Sequence, residues 1–464
     1  MSGLITSKPV FPMALAVCGG GIASYALAAL QLPLGGDLAR HVAWFLFAFA
    51  FYLVAVVLVL LAKDGERDRI SLVVELGLIL VVAVLLRVAF LFTSPSLSDD
   101  VFRYVWDGRL VNAGISPYLY PPSAPELAAF RGPLWEGINH KSMATPYPPL
   151  AEALFAATYR LFPDSVTAMQ EMATAFDMGV VVLLLAMLDR LGLDLRRVLI
   201  YAWNPLILLQ FGHSAHFDSA MLLLLLAAIY LLGRGRRVWS GALLGASILV
   251  KVVPALVVPA FLPVLGPGGL LALGTLSAVG FLPWIEATGG LAGLSAEAGD
   301  ARFNDSLGYL LLKLMERFTT YPEALGRGFA AGLLFACSWA AAAYIWRRRG
   351  DWRVLLEAAF GLIGLFLLLN AVVEPWYLTW MIPFLCLLLP SEPKGRSFLD
   401  PTFGWLLMSG FVVLTDLVYI PGFPLSLWLW IRAVEYGPLY LMLGLWGWRT
   451  LGRFQEIAAL KRLR

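Results

Sequence analysis

The sequence predicts an all-helical, polytopic membrane protein, on the basis of its composition and its long apolar segments. Hydrophobic residues make up 60% of the 464 residues, charged residues make up 14%, and the mean hydropathy is +0.79. Apolar runs long enough to cross a bilayer recur along the whole chain. The net charge is only +3 and no basic run is interleaved with aromatic residues, so we expect no nucleic-acid partner.

Two long polar stretches, 94–146 and 288–324, interrupt the apolar segments, and we expect both to be functional extracytoplasmic loops. No internal repeat or low-complexity tract divides the chain, which predicts a single membrane-embedded domain over 1–464. The pattern predicts about 12 full crossings and one or two partial or re-entrant helices. The apolar segments lie at 11–31, 43–62, 70–93, 147–162, 166–190, 197–212, 216–233, 238–263, 267–287, 325–346, 353–371, 376–390, 402–420 and 429–449.

Lysine and arginine are concentrated in a few short loops, and this distribution predicts the orientation of the chain. The stretches that favour the cytoplasm are 63–69, 233–237, 347–353 and the C-terminal tail. Both termini are then inside. The polar sites expected to share the opposite face are the loop after Phe92, the turn from His213 to Asp218, the 288–324 loop and the turn at Glu374.

Two apolar segments do not fit a simple count of crossings in that orientation. The segment 147–162 is only about 24 Å long at helical rise, contains Glu152 and opens with Tyr-Pro-Pro, so we expect it not to span. The segment 239–263 is interrupted by Lys251 and Pro254. We expect a broken or re-entrant helix there, with the lysine deep in the protein.

Two adjacent carboxylates, Asp99 and Asp100, follow directly after the third apolar segment. Charges at the boundary between bilayer and water cost stability and usually serve a function. Repulsion between the two at low local dielectric would make one of them a better base. The alternative is that the pair only caps the helix that begins near Val101, where acidic side chains accept orphan amide hydrogens.

Seven short motifs follow one another between Leu97 and Pro390. The motifs are SDD (98–100), YVWDGRL (104–110), NAGISPY (112–118), TPYPPLAEAL (145–154), NPLILLQFGHSAHFDSAMLLLL (204–225), GALLGASILVKVVPALVVP (241–259) and EPWYLTWMIPFL (374–385). This order resembles the integral-membrane glycosyltransferases of the GT-C class. Within that class it resembles bacterial polyprenyl-phosphate-mannose-dependent mannosyltransferases and, more distantly, the catalytic subunit of the first GPI mannosyltransferase. The two extra helices before the acidic loop depart from the simplest GT-C pattern, in which that loop follows the first span.

The resemblance implies a GT-C fold and transfer of a hexose, with mannose expected, from a polyprenyl-phosphate sugar with inversion at the anomeric carbon. It aligns Asp99 with the catalytic acidic position and leaves Asp100 as its close rival. It also places His216 and Asp218 in the active cavity, where they would orient the sugar. The spacing of His213 and His216 matches no strong zinc signature, and we expect neither a cofactor nor an obligatory metal.

Transfer from such a donor needs a base for the acceptor hydroxyl and a cationic grip on the departing phosphate. Lys251 is the first candidate cation, and the alternative is a structural pair with a buried carboxylate such as Asp177 or Glu171. Arg103 lies one helical turn beyond the acidic pair and could bind phosphate or form an intrahelical ion pair. Arg302 could add a second phosphate contact, although a charged residue in an exposed loop is more often only solvated.

A group of aromatic and polar residues is expected to bind the sugar at the outer interface. Trp376 and Tyr377 suit stacking on a sugar face, and Glu374 lies beside them. Tyr147 has the same candidate role. An ordinary interfacial aromatic belt explains the three aromatic residues equally well.

The leading hypothesis is therefore an inverting hexosyltransferase in the bacterial inner membrane, with its active site on the extracytoplasmic side. Its expected partners are a polyprenyl-phosphate sugar donor, a glycan or glycolipid acceptor and membrane lipid. Two alternatives stay open: a lipid or glycan transporter or flippase, and a non-catalytic partner in envelope assembly. A transporter would show matched halves with paired broken helices, which the sequence does not show.

Overall fold

The structure is a computed structural model that describes residues 10–31, 33–62, 69–286, 302–348, 351–391 and 395–462. Most of these residues are helical, and among them the one β-type pairing is an isolated parallel bridge between Phe303 and Val372. The predicted all-helical fold class is confirmed. Parts of the predicted loops, namely 63–68, 288–301 and 349–350, lie outside the described residues.

Seventeen α-helices are found in the described residues. They are α1 Val10–Gln31, α2 Leu38–Leu61, α3 Arg69–Leu91, α4 Asp100–Asn112, α5 Pro149–Leu161, α6 Val166–Leu191, α7 Leu199–Ala202, α8 Pro205–Ile207, α9 Asp218–Gly233, α10 Arg237–Val250, α11 Val258–Glu286, α12 Leu307–Met315, α13 Pro322–Arg347, α14 Trp352–Leu369, α15 Ile382–Leu388, α16 Pro401–Phe411 and α17 Trp428–Arg462. A π-helix forms Leu208–His213, and 3-10 helices include Pro125–Phe130, Pro133–Gly137, Leu195–Val198, Val253–Val257, Pro375–Trp380 and Val412–Tyr419.

Eight helices among the described residues are long and apolar enough to cross a membrane. The number is nine if Pro205–His213 and Asp218–Gly233, bent by 118° at their break, form one broken span. The sequence predicted about 12 crossings. Part of the difference comes from the shorter apolar helices Arg237–Val250 and Pro375–Leu388, because about 14 residues reach only about 21 Å at helical rise.

The described chain divides into two compact units. The terminal unit comprises Met1–Leu86, Leu188–Leu206 and Met381–Arg464, and the central unit comprises Arg87–Met187 and Ile207–Trp380. Every residue that the sequence singled out for function belongs to the central unit. The single domain over 1–464 stays a prediction.

Buried arginines hold the terminal unit together. Arg196 donates to Glu75 at 2.8 Å, and both side chains are almost fully buried. Arg197 donates to the carbonyl oxygens of Cys386 at 2.8 Å and Leu389 at 2.6 Å. A guanidinium with several acceptors is satisfied without water, so these contacts fix the segment before α7 against α15.

Local breaks in the central unit occur where the sequence predicted them. α5 has only 13 residues and begins with Pro149, which the first turn of a helix tolerates. α10 ends at Val250, and Lys251 follows in an extended conformation (φ −152°, ψ 138°) before a short 3-10 helix. Glycines let α10 approach α11 closely: a Cβ on Gly241 would lie 2.0 Å from the carbonyl oxygen of Gly269. The tight packing of α10 fixes the place where Lys251 begins the break.

Candidate active site

The carboxylate pair lies at the start of α4. Asp99 is the N-cap residue, but its side chain makes no capping hydrogen bond in the structure. Instead, the Nδ2 amide of Asn139 donates to Oδ1 of Asp99 at 2.7 Å and to Oδ1 of Asp100 at 2.8 Å. Asp99 is exposed and Asp100 is partly buried. The structure therefore gives the capping alternative no side-chain contact at Asp99, and it leaves that carboxylate open.

The segment that precedes this pair is hydrogen-bonded to the turn from His213 to Asp218. His213 ends the π-helix and its Nδ1 lies 2.7 Å from the hydroxyl of Thr93. The amide of Ser96 donates to His213 Nε2 at 3.2 Å. Gln170 donates to the carbonyl oxygens of Thr93, at 3.1 Å, and of His213, at 2.9 Å. The segment before the carboxylates is thus attached to the break between α8 and α9.

His216 connects the carboxylate pair with the aromatic residues near Glu374. Its imidazole is buried and stacks on the ring of Trp376, with centroids 4.3 Å apart and planes at 20°. Its Nδ1 lies 3.8 Å from Oδ2 of Asp100 and 3.5 Å from the hydroxyl of Tyr104. Ala215, one residue earlier, has φ 62°, a left-handed conformation that turns the chain sharply. This turn brings a histidine beside the acidic start of α4.

Lys251 contacts the first residue of α9. Its Nζ donates to Oδ1 of Asp218 at 2.7 Å, and the same oxygen accepts from Nε1 of Trp380 at 2.6 Å. The ammonium also lies 5.0 Å from the ring centre of Tyr377, 5.1 Å from that of Trp380 and 5.8 Å from that of Phe217. Asp218 is 1% exposed, whereas the lysine side chain is 21% exposed. One carboxylate and three aromatic faces surround the ammonium, and part of the lysine side chain stays accessible to solvent.

The buried carboxylate that pairs with Lys251 is therefore Asp218, which lies 33 residues before it in sequence. Asp177 instead accepts two hydrogen bonds from Arg87, at 2.6 and 3.1 Å, inside the central unit. A buried ion pair of this kind joins the end of α3 to α6. The phosphate-binding role of Lys251 stays a prediction, and its partial exposure is compatible with it.

The two candidate arginines are both engaged by carboxylates. Nε of Arg103 donates to both oxygens of Asp107 at 2.9 Å, and its Nη1 donates to the carbonyl oxygen of Met143 at 3.0 Å. The intrahelical ion pair thus forms one turn beyond Arg103. Arg302 donates to Asp305 at 2.5 Å and to both oxygens of Glu323 at 3.0 and 2.7 Å. Their roles toward phosphate stay predictions.

A further buried carboxyl group, which the sequence did not indicate as functional, lies behind α4. Glu152 is 4% exposed and accepts a hydrogen bond from the hydroxyl of Thr145 at 2.7 Å. Burial, together with the negative charge of Asp107, raises the pKa of Glu152 well above its ordinary value of 4.5. Arg103 opposes this effect. A protonated Glu152 can remain in this site without an unpaired negative charge.

The predicted sugar-binding residues occupy different surroundings. Tyr147 packs in an aromatic cluster with Tyr104, Phe155 and Phe217, with all ring centres between 4.5 and 5.7 Å apart. Trp376 is partly buried, as are Tyr377 and Glu374 beside it, in and just before the 3-10 helix Pro375–Trp380.

The bridge between Phe303 and Val372 joins the predicted 288–324 loop to the residues before the turn at Glu374. The amide of Phe303 donates to Ala371 at 3.0 Å, and the amide of Val373 donates to Phe303 at 2.8 Å. Arg302 therefore lies on the strand-like segment that pairs with the residues before Glu374. No signal in the sequence could have shown this pairing.

A chain of contacts runs through the candidate site. It leads from Asp99 through Asn139 to Asp100, from Asp100 to His216, and two residues later from Asp218 to Lys251. Among the described residues, no group of three His, Cys, Asp or Glu side chains is arranged to hold a metal ion. The arrangement places an open carboxylate and a partly exposed ammonium in one connected site, which suits proton removal and anion binding.

Comparison with protein families decides the class of the protein. The family model of the alpha-(1->6)-mannopyranosyltransferase N-terminal domain, the MptA_B family, matches residues 9–266, more than half of the chain. The chain belongs to this mannosyltransferase family. A search of curated proteins finds no match to the chain. The predicted resemblance to mannosyltransferases of the GT-C type is confirmed.

Membership of the MptA_B family makes the protein a glycosyltransferase that transfers mannose, embedded in a membrane by several apolar helices. It uses a sugar donor and a glycan acceptor. It also favours the enzyme over the transporter and the assembly partner. The matched range includes the acidic pair, His216, Asp218 and Lys251, and it ends before Arg302 and the turn at Glu374.

Proposed function

We propose that the protein is an inverting mannosyltransferase that moves mannose from a polyprenyl-phosphate mannose to a glycan or glycolipid. The reaction would take place on the extracytoplasmic side of the bacterial inner membrane. The observation that supports this most is the contact chain from the carboxylate pair, of which Asp99 is exposed, to the partly exposed ammonium of Lys251. A proton acceptor and an anion-binding cation are the two groups that this transfer needs.

The reaction is a single displacement at the anomeric carbon. The acceptor oxygen forms a bond to C1 while the bond from C1 to the phosphate oxygen breaks and its electron pair stays with the phosphate. The hydroxyl proton passes to the Asp99 carboxylate, with Asp100 as the alternative acceptor. General-base assistance of this kind is worth about 10²- to 10⁴-fold in rate.

Lys251 acts on the leaving group. Polyprenyl phosphate gains negative charge as the bond to the sugar breaks, and an ammonium in a site partly shielded from water stabilises that charge. Asp218 compensates the charge of the lysine only in part, because its Oδ1 is shared with the hydrogen bond from Nε1 of Trp380. The aromatic faces around the ammonium attract its positive charge and add no second carboxylate.

The family description also indicates the linkage. An alpha-(1->6) product is formed when the primary hydroxyl at C6 of an acceptor mannose attacks C1. Inversion in one displacement then requires a β-linked donor. Trp376 and Tyr377 would stack on the sugars, and His216 and Asp218 would orient them. Glu374 and Tyr147 would complete the walls of the site.

Donor specificity tests the proposal. Purified protein is incubated with polyprenyl-phosphate mannose, with polyprenyl-phosphate glucose or with a mannose nucleotide, in the presence of a mannosylated glycolipid acceptor. We expect acceptor-dependent release of polyprenyl phosphate from the mannose lipid and an α-linked product. Turnover of the nucleotide sugar and of neither lipid donor would contradict the proposal.

A further inference from the structure

The two N–H groups of one amide are both used to hold the acidic pair. Carboxylates only accept hydrogen bonds, so the amide of Asn139 must face them with its NH₂ group. That group has two donors, and the structure directs one to Asp99 and one to Asp100 at 2.7 and 2.8 Å. A neutral donor holds both carboxylates beside each other without neutralising either of them.

The backbone around Asn139 is anchored on both sides. Ile138 is 4% exposed and packs in a hydrophobic cluster with Trp106 and Leu110 of α4. His140 has φ 42°, a left-handed conformation that non-glycine residues adopt rarely, and its carbonyl oxygen accepts from the amide of Met143.

The same segment is tied to α4 at two further points. The carbonyl oxygen of Met143 accepts from Arg103 at 3.0 Å. A Cβ on Gly137 would lie 2.8 Å from the ring of Phe102, so any larger residue there would force that ring of α4 to move. The position of the Asn139 amide over the first turn of α4 is therefore fixed by packing, hydrogen bonding and a tight turn.

The second oxygens of the two carboxylates differ in their surroundings. Oδ2 of Asp100 lies 3.8 Å from Nδ1 of the buried His216, and the Asp100 side chain is 19% exposed. The Asp99 carboxylate is exposed, and its hydrogen bond in the described part of the chain is the one from Asn139. Asp99 is thus the carboxylate with an oxygen open to an incoming hydroxyl.

From this geometry we infer that Asn139 is a positioning residue, which holds the Asp99 carboxylate in the orientation in which it accepts the proton. The inference rests on the proposed function, because it assigns a role to Asn139 within that reaction. Loss of this hydrogen bond lets the carboxylate adopt other orientations, so it lies less often within reach of the acceptor hydroxyl. The rate of the chemical step then falls, whereas donor binding is unchanged.

The test replaces the amide with a side chain of similar size. We expect Asn139→Leu to lower kcat about 10- to 100-fold, as the loss of a hydrogen bond to a charged group predicts. KM for the lipid donor stays within about twofold, because the cation that contacts the phosphate is unchanged. Asn139→Asp, which removes both N–H donors and puts a third anion beside the pair, lowers kcat at least as much.

Asn112→Leu is the matched control. It removes the amide at the end of α4, the helix that begins at the acidic pair, and that amide donates to the carbonyl oxygens of Gly108 and Ala156, both at 2.8 Å. We expect its kcat and its KM for the lipid donor to stay within about twofold of the wild-type values.

The outcomes separate the two proposals. If the wild-type protein releases no polyprenyl phosphate, the proposed function fails. If the wild-type protein is active and both Asn139 variants keep its kcat, or lose kcat and donor affinity together, the positioning role is overturned and the proposed function stands. Should Asn139→Leu not fold, the kcat and KM of Asn139→Asp decide in the same way.

Discussion

Helix α4 carries acidic residues in two neighbouring regions that the structure treats in opposite ways. At its start, Asp99 and Asp100 are open to solvent or partly so, and a neutral amide holds them. Further along the helix, Asp107 is fully buried and accepts from Arg103 through both oxygens. The first region keeps its negative charge available, and the second has it compensated.

The difference distinguishes a region of α4 that can react from a region of the same helix that supports it. A buried ion pair must be complete, because removing one partner leaves an uncompensated charge. Arg103 also donates from Nη1 to the carbonyl oxygen of Met143 and so holds the segment that carries Asn139. A carboxylate that only a neutral donor holds can still accept a proton at modest cost. The scaffold region thus positions the reactive region from a few residues away.

The candidate cations show the same contrast. Lys251 has one carboxylate partner and three aromatic faces, whereas Arg302 is engaged by Asp305 and by both oxygens of Glu323. Two carboxylates outweigh the single positive charge of the guanidinium. The lysine therefore has the greater capacity to attract a phosphate.

Among the substitutions that test these comparisons, a change in the length of the Asp99 side chain should have the largest effect. Asp99→Glu keeps the charge and lengthens the side chain by one methylene. We expect kcat to fall on the order of 10²-fold, because displacement of a reacting group by about 1 Å costs that much. The measurement is steady-state release of polyprenyl phosphate. Asp189→Glu, a change of the same kind at an exposed position, should leave kcat unchanged.

The second prediction compares the two cations. Lys251→Met should raise the KM for the lipid donor about 10- to 100-fold, as the loss of a charge-assisted contact predicts. Arg302→Met should raise it less, because its guanidinium is already engaged by two carboxylates. Donor titrations on both variants check the order. An equal or larger effect at Arg302 would reverse the contrast between the cations.

The smallest expected effect concerns stability in the scaffold region. Burial raises the pKa of Glu152, so the folded protein binds a proton that the unfolded chain releases near its ordinary pKa. The stability from this group is complete below the unfolded pKa and is lost as pH rises through the folded pKa. Glu152→Gln removes the titrating proton and keeps an acceptor for Thr145, so the melting temperature of the variant should fall less between about pH 5 and pH 8.

Activity separates this change from the others. We expect kcat of Glu152→Gln to stay within about twofold of the wild-type value, because the residue does not contact the open carboxylates. If the melting temperatures of both proteins changed equally with pH, Glu152 would be ionised in the folded state, contrary to this prediction.

The features that local sequence determines were predictable. Apolar runs gave the helical class, and Pro254 together with Lys251 predicted the break after α10. The Tyr-Pro-Pro start of the 147–162 segment likewise predicted a short helix. Each of these follows from hydropathy or from the missing amide of proline, and both act within a few residues.

The partners of the site residues were not predictable from one sequence. Asn139 lies 40 residues from Asp99, and Trp380 lies 162 residues from Asp218. Such pairs depend on how distant segments pack, and no local periodicity encodes them. For Arg103 the sequence offered two roles, and only the structure shows that the helix places Asp107 against it.

The central claim is that the open carboxylate at the start of α4 takes the acceptor proton. It is tested most directly by measuring donor binding and single-turnover transfer on the same preparation of Asp99→Asn. We predict donor affinity within about twofold of the wild-type value and a transfer rate lower by about 10²- to 10⁴-fold. Transfer at the wild-type rate by this variant would contradict the claim.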